Sequence, residues 1–181
     1  MQELNGVDFG VILHSRHSAT EIINHIGTEM RKRVIEHIVK TTAKLAIIID
    51  ESTTSGNKAV MTIHMKTDLG TGEPVFAFLE LMELESQTAE CITTSLLECL
   101  HKVGPTETYL QRNWIAFTSD GASNLTGSKT GVATRLKSVY PNLTTWHCLS
   151  HRLELAVGDS VVDVRGVNHF KIFPVPTVFS F

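Results

Sequence analysis

Cysteine is scarce in this chain of 181 residues: Cys91, Cys99 and Cys148 are the whole complement. An odd, sparse count argues against a disulfide framework. The N-terminal MQELNGVDFG also lacks the basic-then-apolar layout of a secretory leader. Together these point to a reducing compartment, the nucleus or the cytosol. Long apolar runs are missing too, and none approaches the roughly 20 residues that span a bilayer, so no membrane association is expected. Nor is there an excess of positive charge: 16 basic residues against 19 acidic ones leave a formal charge of −3. That excludes a cationic module that holds nucleic acid by bulk charge and leaves any such contact to a local patch. No internal repeat or low-complexity tract is present.

What the chain does have is enough apolar content for a packed core, 42% against 19% charged. Its length suits about one domain. A helical period runs from Thr20 to Lys44, with Ile22, Ile26, Met30, Val34 and Ile38 recurring every four residues and Gly27 as a possible break. The period then changes. Leu45-Ala-Ile-Ile-Ile49 is a continuous apolar run ending at Asp50, as in a strand buried on both faces, and Glu51 to Asn57 reads as a loop. Clean alternation follows, with Ala59, Met61, Ile63 and Met65 on one side and Val60, Thr62, His64 and Lys66 on the other. Thr67 to Pro74 reads as a hairpin connection, and Val75 to Met82 as the returning strand.

A second helix fits Thr88 to Val103, capped by Thr88 and stopped by Gly104-Pro105, with Cys91 and Cys99 as core filler. Trp114 to Thr118 is a short strand that ends at Ser119-Asp120-Gly121-Ala122-Ser123-Asn124. Lys129 to Val139 predicts a helix, Leu143 to Trp146 a fifth strand, and Leu149 to Val162 a last helix with Leu153, Ala156 and Val157 inward. The expected fold is α/β: a mixed five-stranded sheet, three strands antiparallel and two parallel, with helices on both faces. The expected segments are 1–19, poorly defined; 20–165, the core; and 166–181, a tail rich in Phe and Pro that lacks a helical stripe.

Two constellations carry possible chemistry. Asp50 and Asp120 each end an apolar strand and open a polar loop. If those strands are parallel neighbours, the carboxylates meet and offer hard oxygen ligands to a divalent cation, Mg²⁺ or Mn²⁺, of the kind that activates water for phosphoryl chemistry. Asp is also common after strands simply because it tolerates turns. The second is His147-Cys148-Leu149-Ser150-His151. Its C-x-x-H pair is half of a tetrahedral zinc site, but the chain holds no second pair of suitable spacing. A Cys nucleophile with a His partner would need a lowered thiol pKa and an orienting group. The string SDGASNLTGSKTG has Ser128 where a phosphate loop needs Gly, so Lys129 reads as a solvated residue at a helix start.

Three segments in order, LAIIIDESTT, FTSDGASN and WHCLSHRLELAV, resemble the RNase H-like core of hAT-superfamily DNA transposases and, more narrowly, of their domesticated vertebrate descendants. The helix EMRKRVIEHIV resembles the one that precedes the first strand there, and the likeness runs from about residue 20 to about residue 160. It implies that Asp50 and Asp120 are the first two acids of a catalytic Asp-Asp-Glu set. Cys148 and His151 match the C-x-x-H motif, which supports the core and its DNA contacts. The third acid of the set follows a helical insertion that this chain does not contain, and Glu154 does not match its position. The resemblance therefore implies a truncated, catalytically incomplete module without transposition activity. Such a module would be a nuclear factor that binds DNA or protein. One domesticated relative in this neighbourhood is described as an E3 SUMO-protein ligase, so a SUMO-pathway interaction module is the alternative. SUMO binding would need a β-branched segment beside acids, as at Ile47 to Glu51 or Val161 to Val164. A third reading is a chain that does not fold stably alone, with helices missing from one sheet face and an apolar patch left there.

Overall fold

The computed structural model describes residues 15–162. Eleven elements follow in order: α1 (Arg16–Lys40), β1 (Leu45–Thr53), β2 (Ala59–Asp68), β3 (Pro74–Glu83), α2 (Ala89–Val103), α3 (Glu107–Asn113), β4 (Trp114–Ser119), α4 (Ser123–Thr126), α5 (Val132–Val139), β5 (Thr144–His147) and α6 (Leu149–Val162). The strands form one sheet in the order β3-β2-β1-β4-β5. The β1–β2 and β2–β3 pairs are antiparallel; β1–β4 and β4–β5 are parallel. This is the mixed sheet that the alternation of strands and helices predicts. The tail at 166–181 lies outside the described residues.

Alternation along each strand divides the sheet into two unlike faces. On one face stand Leu45, Ile47 and Ile49 of β1, Met61, Ile63 and Met65 of β2, and Phe117 of β4, all essentially inaccessible. They join one core with Ile35 and Ile38 of α1, Ile92, Leu96 and Leu100 of α2, Leu110 of α3, and Val132 and Leu136 of α5. The other face carries Ala46, Ile48 and Asp50, half-buried, and His64 and Lys66 beside Phe76 and Phe78, which are exposed. Of the helices, α6 meets this second face at its first turn, where His151 Nε2 lies 4.0 Å from Asp50 Oδ1.

Several boundaries differ from those read along the chain. α1 begins at Arg16 rather than Thr20, inside the segment expected to be poorly defined, with Ser15 Oγ accepting from the Ser18 N–H at 3.0 Å. It runs unbroken through Gly27 and ends at Lys40. Its apolar stripe is buried only toward the C-terminal end: Ile22, Ile26 and Met30 are exposed where the helix overhangs the core. β1 continues through Glu51, Ser52 and Thr53, because Ser52 pairs with Val60 and Thr53 with Ala59. Cross-strand pairing outweighs the loop-like composition there. The helices α3 and α4 have no counterpart in the periodicity. α3 carries one turn's worth of apolar residues, yet Thr106 caps it and Tyr109 Oη donates to the Ala43 carbonyl at 2.6 Å, bracing the start of β1. α5 begins at Val132, so Lys129 sits in the preceding turn. In α6, Leu153, Ala156 and Val157 point to solvent, not inward.

β3 is an outer strand, and outer strands need protection from stray pairing. A bulge opposite Ile63 turns both Leu79 and Glu80 toward the helical side. There Arg31 Nη1 donates to the Leu79 carbonyl at 2.6 Å and to Glu80 Oε2 at 3.0 Å. Among the described residues no helix is long and apolar enough to cross a membrane.

The division into a packed and a bare face makes a prediction. Leu96→Ala, in the core between α2 and the sheet, is expected to cost about 2–5 kcal/mol. Val139→Ala, on an exposed flank of α5, is expected to change stability by less than about 0.5 kcal/mol. Urea melts of both variants check this; equal losses would contradict the assignment of the core.

Candidate functional site at the strand ends

Parallel pairing of β1 with β4 places Ile48 opposite Thr118. Two residues further on stand Asp50, within β1, and Asp120, directly after β4, so adjacent strands deliver both carboxylates to one end of the sheet. Neighbouring strands lie roughly 4.8 Å apart, close enough for each charge to act on the other. Asp50 is held above the ordinary carboxyl range, chiefly because burial penalises its charge; His151 opposes that and Asp120 adds to it. Thr62 Oγ1 donates to the Asp50 carbonyl at 3.2 Å and ties the site to β2. Asp120 Oδ1 accepts from the Ala122 N–H at 2.9 Å, the turn role open to any Asp at a strand end.

The C-x-x-H segment arrives from β5. The Cys148 N–H donates to the Ser119 carbonyl at 2.7 Å, and the Cys148 carbonyl accepts from the Arg152 N–H at 3.1 Å. Cys148 is thus the residue that opens α6, at the end of a helix that favours negative charge. Burial alone would raise its thiol pKa. The neighbouring His151 and the backbone N–H groups at the start of α6 outweigh burial, and the net shift is downward. His151 is shifted upward, first by the adjacent Cys148 and further by Asp50 and Asp120, against the effect of burial. Asp50, Asp120, Cys148 and His151 therefore share one end of the sheet, and Asp50 is the neighbour that the Cys–His pair lacked in the sequence.

Two features escape a reading by motif. Glu51 alternates to the opposite side from Asp50 and bridges to Asn124 Nδ2, 3.4 Å from each carboxylate oxygen. Its pKa is raised, mainly by burial. Asn124 Nδ2 also reaches the Gln87 carbonyl at 3.0 Å, so this carboxylate joins the turn after β4 to the approach of α2. Its signal lay in the residue directly after Asp50, hidden by reading Glu51 as loop. The second feature is Gly121, where a Cβ would stand 2.7 Å from His147 Nε2. That nitrogen is buried with no hydrogen-bond partner among the described residues. The glycines of SDGASNLTGSKTG serve close packing instead of a phosphate cradle: a Cβ on Gly131 would stand 2.6 Å from the Gly127 carbonyl oxygen.

Hard oxygen donors of the Asp50–Asp120 kind suit Mg²⁺ or Mn²⁺. Among the described residues, however, no three His, Cys, Asp or Glu side chains are placed to hold a metal ion together.

A five-stranded sheet of this order, with one aspartate in β1 and one directly after the adjacent parallel β4, defines an RNase H-like module. Residues 11–131 match the family model described as DUF4371: ZMYM1/FAM200, RNase-like domain, and the chain belongs to that family. The match spans α1 to the turn before α5 and takes in both aspartates.

The environment of Asp50 sets a pH dependence. The folded chain holds this proton more tightly than the unfolded chain, whose value lies near 3.8. Stability therefore falls as pH rises from about that value through the raised folded one. Asp50→Asn removes the effect. Its melting temperature is expected to exceed the parent's at pH 7, with the gap closing below the unfolded value. Coincident melts at pH 7 would contradict the burial assigned to this carboxylate.

Thiol reactivity supplies a second test. Burial raises the pKa of Cys99, whereas that of Cys148 is lowered. Iodoacetamide at pH 7 is expected to alkylate Cys148 ahead of Cys99, and His151→Ala is expected to slow the Cys148 reaction. Peptide mass spectrometry over time measures both rates; a Cys148 rate indifferent to His151 would dissolve the pair.

Proposed function

We propose that this chain is a transposase-derived RNase H-like module that works by binding nucleic acid, DNA in the first instance, in the nucleus and does not carry out strand transfer. The observation that supports the RNase H-like reading most is the register of β1 and β4, which delivers Asp50 and Asp120 to one end of the sheet. Two carboxylates alone repel one another and would hold Mg²⁺ or Mn²⁺ weakly. The finer identity we propose is descent from the hAT superfamily, on the ordered segments LAIIIDESTT, FTSDGASN and WHCLSHRLELAV.

The SUMO-pathway alternative has less to support it. Of its two candidate segments, Ile47 to Glu51 lies in β1, between β2 and β4, where both strand edges are already paired. The other, Val161 to Val164, lies outside the residues whose side chains are described.

Fluorescence anisotropy with labelled duplex DNA, paired with a cleavage assay in Mn²⁺, tests the reading. The expected result is binding that weakens with salt, no strand cleavage, and at most a small rise in melting temperature with Mn²⁺ that Asp50→Asn/Asp120→Asn abolishes. Metal-dependent cleavage lost in Asp50→Asn would overturn the non-catalytic assignment. No binding at low salt would overturn the nucleic-acid assignment.

A further inference from the structure

The sheet face left uncovered among the described residues has a definite relief. Register carries one row across all five strands: Phe78 opposite His64, His64 opposite Ile48, Ile48 opposite Thr118, and Thr118 opposite Trp146. The ends of the row are tall and exposed, Phe78 at 51% and Trp146 at 58%. The neighbouring row has Phe76 on β3, with Lys66 Nζ 5.2 Å from its ring centroid, then Ala46 and Ala116 on the middle strands. Aromatic walls on β3 and β5 thus flank a floor of small or half-buried side chains. The walls stand about 19 Å apart, four strand spacings of roughly 4.8 Å. One α-helix, about 10–12 Å across with its side chains, fits between them.

α6 has the matching surface. Leu149, Leu153, Ala156 and Val157 recur at helical spacing and form one stripe. All four are exposed, Leu153 at 64%. The first turn is held at the Asp50 end of its own sheet by the Cys148 N–H bond to Ser119 and by the approach of His151 to Asp50. Every residue from Arg152 to Ser160 is exposed, so the helix leaves its own sheet face uncovered.

We propose that the trough is a docking surface for α6 of a second copy of this chain, exchanged reciprocally. Charge agrees with this occupant. Arg152 and Asp159, seven residues apart, flank the stripe about 10.5 Å from one another along the helix axis. Asp50 and Lys66 border the floor: Asp50 is opposite Thr62, and Lys66 lies four residues further along β2, about 13 Å away at roughly 3.3 Å per residue. Arg152 then faces the Asp50 end and Asp159 the Lys66 end. Area agrees as well. Phe76, Phe78 and Trp146 are half to two-thirds exposed, which at roughly 150–250 Å² for each whole aromatic side chain leaves about 250–450 Å² on the trough; with a similar area from the exposed stripe of α6, the two offer on the order of 800 Å² per copy. Burying both copies' surfaces covers about 1,600 Å², the size of a standard stable interface. The partner is the same surface pair in reverse, as a two-fold assembly requires.

Light scattering on the eluting chain across a concentration series tests this. A two-copy species is expected, converted to a single copy by Leu153→Asp and separately by Phe78→Asp. Both substitutions are at exposed positions, so both variants are expected to keep a cooperative melt. A benzophenone placed at position 153, in a mixture of ¹⁵N-labelled and unlabelled chains, is expected to link to the β3 peptide of the other isotope. A single copy at every concentration, a two-copy species that both variants leave intact, or linkage only within one chain would overturn the exchange.

Discussion

Everything at the candidate site depends on one pairing, β1 beside β4 in parallel. An antiparallel arrangement would send Asp50 and Asp120 to opposite ends of the sheet. The parallel one puts both at the same end, two residues past the Ile48–Thr118 pair. Parallel neighbours need a crossover, here α2 and α3, and these helices are part of the core. Ile92, Leu96 and Leu100 of α2 and Leu110 of α3 are buried with Ile47, Ile49 and Phe117. The packing that stabilises the fold is therefore also what keeps the carboxylates adjacent. The Cys148–His151 turn joins them through the β4–β5 pairing, again parallel and again in register, Ser119 opposite His147.

The two sheet faces differ in consequence as well as in composition. The helical face carries the buried core, and its edge at β3 is guarded by Arg31 and a bulge. The second face ends in the acidic site and otherwise presents aromatic side chains with little above them. A buried carboxylate beside a solvent-open face suits a surface that receives a large partner better than a pocket enclosing a small one. Phe78 also packs edge-on against His64, ring centroids 5.6 Å apart, so part of this face is ordered by its own contacts.

Much of the architecture was legible along the chain because period and burial agree there. The alternation from Ala59 to Met65 is the alternation seen in β2, and the Thr88 cap and Gly104-Pro105 stop are the ends of α2. Where the reading failed, a local signal lost to a distant partner. Glu51 to Thr53 look like loop, but Met61, Val60 and Ala59 pair with them. α3 is too short to show a stripe and exists because Tyr109 and Lys44 tie it to the start of β1. The stripe of α1 outruns the core available to cover it, and that of α6 has no sheet beneath it, so Ile22 and Leu153 are exposed despite ideal spacing.

By itself the sequence determined the five strands and the longer helices, the alternating faces of the strands, and Asp120 as the residue that follows β4, because each is a property of near neighbours along the backbone; Asp50, read as a strand end, lies inside β1. Tertiary structure alone decided that Asp50 and Asp120 share one end of the sheet, and that Cys148 opens a helix beside His151 and Asp50. It also decided that Glu51 turns away to hold Asn124 and that, among the described residues, one sheet face is left open. Those outcomes rest on strand order, direction and register. They are settled by which apolar surfaces pack together across long separations in the chain, and no local pattern encodes that choice.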